Sequence, residues 1–423
     1  MLGEVDAPPA PSSVTYGSAA EVEPAAVGLD ADRLGRLDRH LERLRAAGRI
    51  PGWQLLIGRH GRLAYSAAGG WADKEQRRPI APDTLFRIYS MSKPVTAVAA
   101  MILYEQGEIE LSDPLADFIP EFADMRVYVG GSHLRPVTEA ATRPITLWHL
   151  LTHTAGLTYG FHRIHPVDAL YREAGHDIEA PGGTLAESCE TWARFPLLFQ
   201  PGAEWNYSVA TDVLGRVIEV VSGQSLGEFF RTEILDPLGM IDTRFTVTGA
   251  DSERLARLYL AAPGGALIPG DELRASVLDP DRAHYGGGGL VGTGPDYLRF
   301  ATMLQGGGAL DSARILSPRT VALMGANQLP GGVDINTFGR TMNAAAPHVG
   351  VGQGLGLSVV LDPVRAGYAS SPGELSWGGA ASTIFWTDPL LGLVVVMMTQ
   401  VLPAAALPIR NLLHQLVHQA VLD

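Results

Sequence analysis

One cysteine in 423 residues, Cys189, rules out an intrachain disulfide and any cysteine-built metal centre. It is left the role of a small apolar filler. Positive charge is in deficit: 32 Lys and Arg stand against 45 Asp and Glu, a net charge of −13. No basic stripe is present to meet nucleic acid or an anionic membrane. Long hydrophobic runs are missing too; the longest, residues 390–398, has the length of a strand and not of a membrane span. Residues 1–26 are rich in Ala, Pro, Ser and Glu but have neither the basic start nor the apolar stretch of a signal peptide. A soluble, cytoplasmic protein with no nucleic-acid or membrane partner is expected. Internal repeats and low-complexity tracts are also absent.

What remains is globular: 46% apolar and 18% charged residues, in a chain long enough for two lobes or one domain carrying an insertion. Residues 1–28 read as a flexible arm. Leu34, Leu37, Leu41 and Leu44 then recur at helical spacing until Gly48. Residues 53–59 and 62–68, joined by His60-Gly61, read as a β-hairpin. Strands are expected again at 356–361, 382–386 and 391–399, with a helix over 407–421. The middle alternates Pro-rich irregular stretches with helical pieces such as 147–151 and 211–221. Both ends therefore supply one antiparallel sheet flanked by helices, built from 29–114 and 286–423. Residues 115–285 form a mostly helical inserted domain.

Residues 90–93 read Ser-Met-Ser-Lys and open a helix over Val95 to Gly107 that is apolar all round. Such a helix belongs in a core, where a lysine is rare without a partner or a task. Residues three apart share a helix face, so Ser90 and Lys93 can meet. A buried amine gives up its proton more readily than a solvated one and can then take the serine's. Unpaired N–H groups at the helix start suit a developing oxyanion. Ser90 therefore reads as a nucleophile. Pro94 opposes this, because the residue before a proline resists helical geometry, and the helix could instead begin at Pro94.

Two other signals compete. Gly223-Gln224-Ser225-Leu226-Gly227 has the G-x-S-x-G form of a hydrolase elbow, but follows helical spacing where that motif needs a strand. Gly223 reads as a helix stop and Ser225, with Glu228, as the cap of the next helix. His149 and His153 stand four apart, yet Leu150 occupies the glutamate position of a zinc protease motif, and His162 and His165 bring no carboxylate cluster. No metal is assigned. Gly286–Gly289 and Gly306–Gly308 read as tight turns, the former near the site. Tyr207 reads as a core tyrosine by type, and Trp377-Gly378-Gly379 as a bulge or strand-opening turn before 382.

Taken in order, residues 86–94, Leu111 to Leu115, Leu150 to Leu157, Pro201-Gly202 through Tyr207-Ser208, Gly286 to Leu290 and Trp377-Gly378-Gly379 resemble the serine β-lactamase and penicillin-binding-protein superfamily. The resemblance runs from about residue 30 to 420 and is closest to the β-lactamase-like carboxylesterases of family VIII, a branch shared by fungal statin acyltransferases. It implies a class C β-lactamase-like α/β (α+β) fold with Ser90 at the start of its helix. It further implies Ser90 as the acylated nucleophile, Lys93 as its proton acceptor and Tyr207 as the relay to the leaving group. The Ser90 and Ala380 N–H groups would form the oxyanion hole. Trp377, Gly378, Gly379 and Tyr159 would bind substrate. No metal or organic cofactor is implied; the partner is a small-molecule ester.

Departures from the pattern narrow the substrate. Trp377 stands where β-lactamases and peptidases place a lysine or histidine, and a neutral indole cannot hold a carboxylate. Val209 replaces the asparagine of the second motif. Both changes favour neutral, apolar esters in an apolar pocket. An acyltransferase sharing the acyl-enzyme, a β-lactamase or D-amino-acid peptidase, and a penicillin-recognising protein without turnover are the alternatives.

Overall fold

The computed structural model describes residues 20–177, 182–270, 277–339 and 348–423, with the backbone of Thr15 and Tyr16. Its centre is a nine-stranded antiparallel sheet. β1 (Thr15–Tyr16), β2 (Gly52–Arg59), β3 (Arg62–Asp73) and β4 (Arg78–Pro79) come from the N-terminal part. Val351–Gln353, Ser358–Val360, Leu375–Gly378, Ile384–Asp388 and Leu393–Met398 come from the C-terminal part. The two sets join where Leu393 pairs with Arg59 and Met398 with Gln54. His60 and Gly61 both take positive φ (52° and 76°), the geometry of a two-residue turn that matches strand twist.

The joining strands are buried along their whole length, and Leu393–Met398 is a continuous apolar run. Alternation still sorts their side chains into two cores. Leu55, Ile57, Val395 and Met397 face α1 (Ala31–Ala46) and the C-terminal helix Arg410–His418. Leu56, Val394, Val396 and Met398 face α2 (Ser92–Gln106) and the helix Gly294–Gln305. Helices therefore cover both faces of the sheet. α1 starts where the Asp30 side chain accepts from Arg33 N–H at 3.0 Å.

Between the sheet's two contributions lie α3 (Leu147–Leu151), α4 (Pro166–Glu173), α5 (Leu185–Ala193), α6 (Ala210–Ser222) and α7 (Leu226–Phe230). This stretch also holds a two-stranded ribbon, Arg126–Ser132 with Arg135–Ala140, where a Pro-rich irregular run was expected. A ribbon strand has one free edge, so Pro136 costs no ladder bond there. Trp377 and Gly378, expected in a bulge or turn, sit inside the strand Leu375–Gly378, paired with Phe385 and Ile384. Within the expected arm, residues 1–14 and 17–19 lie outside the described residues. The remainder is tied down: β1 pairs with Ala67 and Ala68, and the Glu21 and Val22 N–H groups donate to Leu63 O. Among the described residues no helix is long and apolar enough to cross a membrane. Cys189 is buried in the α2-side core.

Candidate active site

Ser90 stands at a forced bend. Phe86–Arg87 pairs with Val291–Gly292, and Gln400 clamps Arg87 by accepting from its N–H and donating to its carbonyl. Tyr89 then adopts φ 44°, costly for a residue with a side chain and tolerated where the surroundings over-determine it. A single 3₁₀ turn, Tyr89–Met91, follows, and α2 begins at Ser92. The Pro94 conflict resolves with Lys93 helical and Pro94 in the first turn, where a missing N–H leaves no bond unmade. Every residue of α2 from Ser92 to Leu103 is buried.

Ser90 Oγ accepts from Tyr207 OH at 2.6 Å and lies 3.2 Å from Lys93 Nζ. Lys93 Nζ donates to Gly287 O at 2.5 Å and to Tyr159 OH at 3.0 Å. Tyr159 in turn donates to Asp212 at 3.4 Å, and Asp212 accepts the Gly287 N–H at 2.7 Å. Gly287 O can only accept, and Tyr159 spends its hydrogen on Asp212. Two Lys93 hydrogens are thus committed, and the third position on Nζ faces Ser90. Burial, then the Asp212 charge, pushes the Tyr159 phenol well above its ordinary range, so it stays protonated. Asp212 is raised by burial and drawn back by Lys93, the Gly287 N–H and Tyr159.

Tyr207 is fixed through its backbone. His162 donates to Tyr207 O at 2.7 Å, and Asn206 bonds Leu157 O and the His153 carbonyl. Its ring lies 4.6 Å from Lys93 Nζ and 6.0 Å from the Trp377 ring. The strand carrying Trp377 and Gly378 ends against the bend that carries Ser90. A side chain on Gly379 would collide with Ile88 O and Thr383 Oγ1, and Ala380 and Tyr89 pack against the same small cluster of Leu258, Ala381 and Leu402. Among the described residues neither the Ser90 nor the Ala380 N–H meets an acceptor.

The sequence-expected residues Ser90, Lys93, Tyr207, Tyr159, Trp377, Gly378, Gly379 and Ala380 therefore gather in one place. Tyr159 stands deeper than a pocket wall, between the amine and a carboxylate. Asp212 was missed; its one signal is an acid in the first turn of α6, which looks like ordinary helix-dipole pairing. Gly287 acts through its backbone and carries no residue-type signal beyond the glycine run.

The decoys resolve by geometry. Gly223 ends α6 at φ 67°, and Ser225 accepts from Glu228 N–H to cap α7. The Glu228 carboxylate pairs with Arg231 and not with the cap, so the box is half made. His149 accepts the Thr146 N–H to cap α3, and His165 caps α4. His153 is buried, stacked on Trp377 at 6.2 Å, and held neutral by burial and then by Lys93.

Comparison with known proteins bears on the family and the fold. The Beta-lactamase family model matches residues 37–419. Protein Rv1367c of Mycobacterium tuberculosis is 36% identical over 84% of this chain and 87% of its own length. Esterase EstB of Burkholderia gladioli is 34% identical over 90% of this chain and 94% of its own. Among solved structures, EstCE1, a hydrolase with promiscuous acyltransferase activity, superposes with a TM-score of 0.78 at 30% identity, covering 93% of this chain and 99% of that one. With its sheet, its Ser90 bend and these matches, the chain belongs to the Beta-lactamase family.

Proposed function

We propose that this chain is a serine carboxylesterase of the family VIII kind, hydrolysing neutral short- to medium-chain esters through a Ser90 acyl-enzyme. The observation that carries this reading is Ser90 Oγ held 2.6 Å from Tyr207 OH and 3.2 Å from Lys93 Nζ. Both lie within proton-transfer reach of one buried-edge hydroxyl. Ser90 attacks the ester carbonyl and its proton passes to Lys93, which acts as the amine base. Asp212 offsets the ammonium so formed. Tyr207 gives its phenol proton to the departing alkoxide and is reprotonated by Lys93. The Ser90 and Ala380 N–H groups hold the tetrahedral oxyanion. Water, activated by the same amine, then releases the acid. Every proton in this cycle moves among groups of the chain, its substrate and the deacylating water.

Trp377 at the strand that borders the nucleophile supports a neutral substrate, since it offers no charge to a carboxylate. EstCE1 is described as having promiscuous acyltransferase activity, which supports alcohols competing with water for the acyl-enzyme. The test is hydrolysis of p-nitrophenyl acetate, butyrate and octanoate by wild type, Ser90→Ala and Ser225→Ala. Loss of activity in Ser90→Ala alone is expected. A dead Ser225→Ala beside an active Ser90→Ala would overturn the nucleophile, and a wild type inert on all three esters would overturn the esterase.

A further inference from the structure

On the far side of the strand that carries Trp377, three buried polar atoms converge without hydrogen-bond partners: Glu374 Oε2, Asp388 Oδ2 and His418 Nε2. They lie within 4.8 Å of one another. Glu374 leads into the strand Leu375–Gly378, Asp388 ends the strand Ile384–Asp388, and His418 ends the C-terminal helix. The Glu374 and Asp388 side chains are 0% exposed and that of His418 is 10% exposed.

Each group is already oriented by its other atom. His418 Nδ1 lies 2.9 Å from His414 O, which can only accept, so Nδ1 carries a hydrogen and Nε2 is the atom turned toward the two carboxyl groups. Asp388 Oδ1 accepts from the Leu390 and Leu391 N–H groups at 3.0 and 3.1 Å, turning Oδ2 inward. Glu374 Oε1 lies 2.9 Å from His414 Nε2, turning Oε2 to the same point. Two acid side chains and an imidazole thus converge where both acids are closed to water, and buried negative charge of this kind calls for a cation, supplied by a proton on His418 or by a metal ion.

The spacing discriminates between cations. His418 Nε2 stands 3.6 Å from Asp388 Oδ2 and 3.9 Å from Glu374 Oε2. An N–H⁺···O bond is shorter, roughly 2.7–3.2 Å. Ligands on one tetrahedral ion, with bonds of about 2.0–2.2 Å, stand roughly 3.3–3.6 Å apart; the His418–Asp388 pair meets this spacing, and Glu374 Oε2 must move in by a few tenths of an ångström to complete the site. A histidine whose second nitrogen is tied to a main-chain carbonyl is also the usual setting of a metal ligand.

We propose that Glu374, Asp388 and His418 bind a divalent transition-metal ion, of which Zn²⁺ best fits the nitrogen and oxygen donors. Asp388, together with Glu374 once the ion displaces the proton it shares with His414, neutralises its charge, and an imidazole disfavours Mg²⁺ and Ca²⁺. The ion clips the C-terminal helix to two strands of the sheet, one of which presents Trp377. The role is structural, and it stands whether or not the esterase reading does.

The test uses the full chain, dialysed against chelator and then given Zn²⁺ or Co²⁺. Expected are close to one Zn²⁺ per chain surviving gel filtration and a Tm raised by about 3–5 °C at a hundredfold excess over Kd. Co²⁺ should give the visible bands of a low-coordinate site. Asp388→Asn and His418→Gln should each lower retention at least tenfold. Wild type that keeps less than a tenth of an equivalent, with an unmoved Tm and no Co²⁺ bands, overturns the proposal in favour of a protonated His418. Retention unchanged in both variants overturns it in favour of adventitious binding elsewhere. Should the variants fail to fold, the wild-type stoichiometry and Co²⁺ spectrum decide.

Discussion

Tyr159→Phe removes one oxygen atom and nothing else from the site. That hydroxyl accepts from Lys93 at 3.0 Å and donates to Asp212 at 3.4 Å, and the ring stays to keep its contacts with Phe161 and Tyr207. A hydrogen bond to a charged group contributes about 1.5–3 kcal/mol. If that bond supports the ammonium formed as Ser90 attacks, its loss lowers kcat roughly 10- to 100-fold, at about 1.4 kcal/mol per decade. KM for p-nitrophenyl butyrate should change little, because the hydroxyl is spent on Lys93 and Asp212 and not on the ester. The pH profile adds a signed readout. The Tyr159 hydrogen bond favours ionised Asp212, whose pKa burial has already raised. Removing the donor raises that pKa further, so the acid limb of kcat should move to higher pH. A variant whose kcat and acid limb match wild type, with any defect confined to KM, would refute this reasoning and leave Tyr159 a pocket wall.

Gly287→Ala places a Cβ 2.5–2.8 Å from the Asp212 carboxylate, so Asp212 must move and the Gly287 carbonyl with it. A kcat loss of at least about tenfold is expected, and wild-type turnover would show that Lys93 does not depend on this support. Ser225→Ala should lose about 1 kcal/mol in denaturant unfolding through its cap, with esterase activity intact. His149 is pushed down to about 4 by burial and then Arg143, and His348 to about 4 by burial and then Arg410. A histidine held below its unfolded value binds fewer protons when folded, so stability should fall as pH drops from about 6.5 to 4, by up to ~3 kcal/mol for His149. His149→Asn should flatten that slope in Tm against pH.

Local patterns were enough wherever a residue's task is set by its near neighbours in the chain. The leucines of α1, the positive-φ pair His60-Gly61, the Ser225 cap and the unbroken burial of α2 all follow from period, turn chemistry and propensity. The ordered motifs identified the family and with it Ser90, Lys93 and Tyr207, which the fold brings within hydrogen-bond reach. Period alone hid the strand Leu375–Gly378, because a four-residue strand ending in glycine looks like a turn until Phe385 and Ile384 pair with it. Asp212, the carbonyl of Gly287 and the convergence of Glu374, Asp388 and His418 were beyond the sequence for one reason. Each acquires its role from atoms dozens or hundreds of residues away, and a buried carboxylate becomes distinctive only when burial strips its water and tertiary contacts replace it. Sequence determined which hydroxyl sits at the head of the buried helix; tertiary structure alone decided what surrounds its lysine.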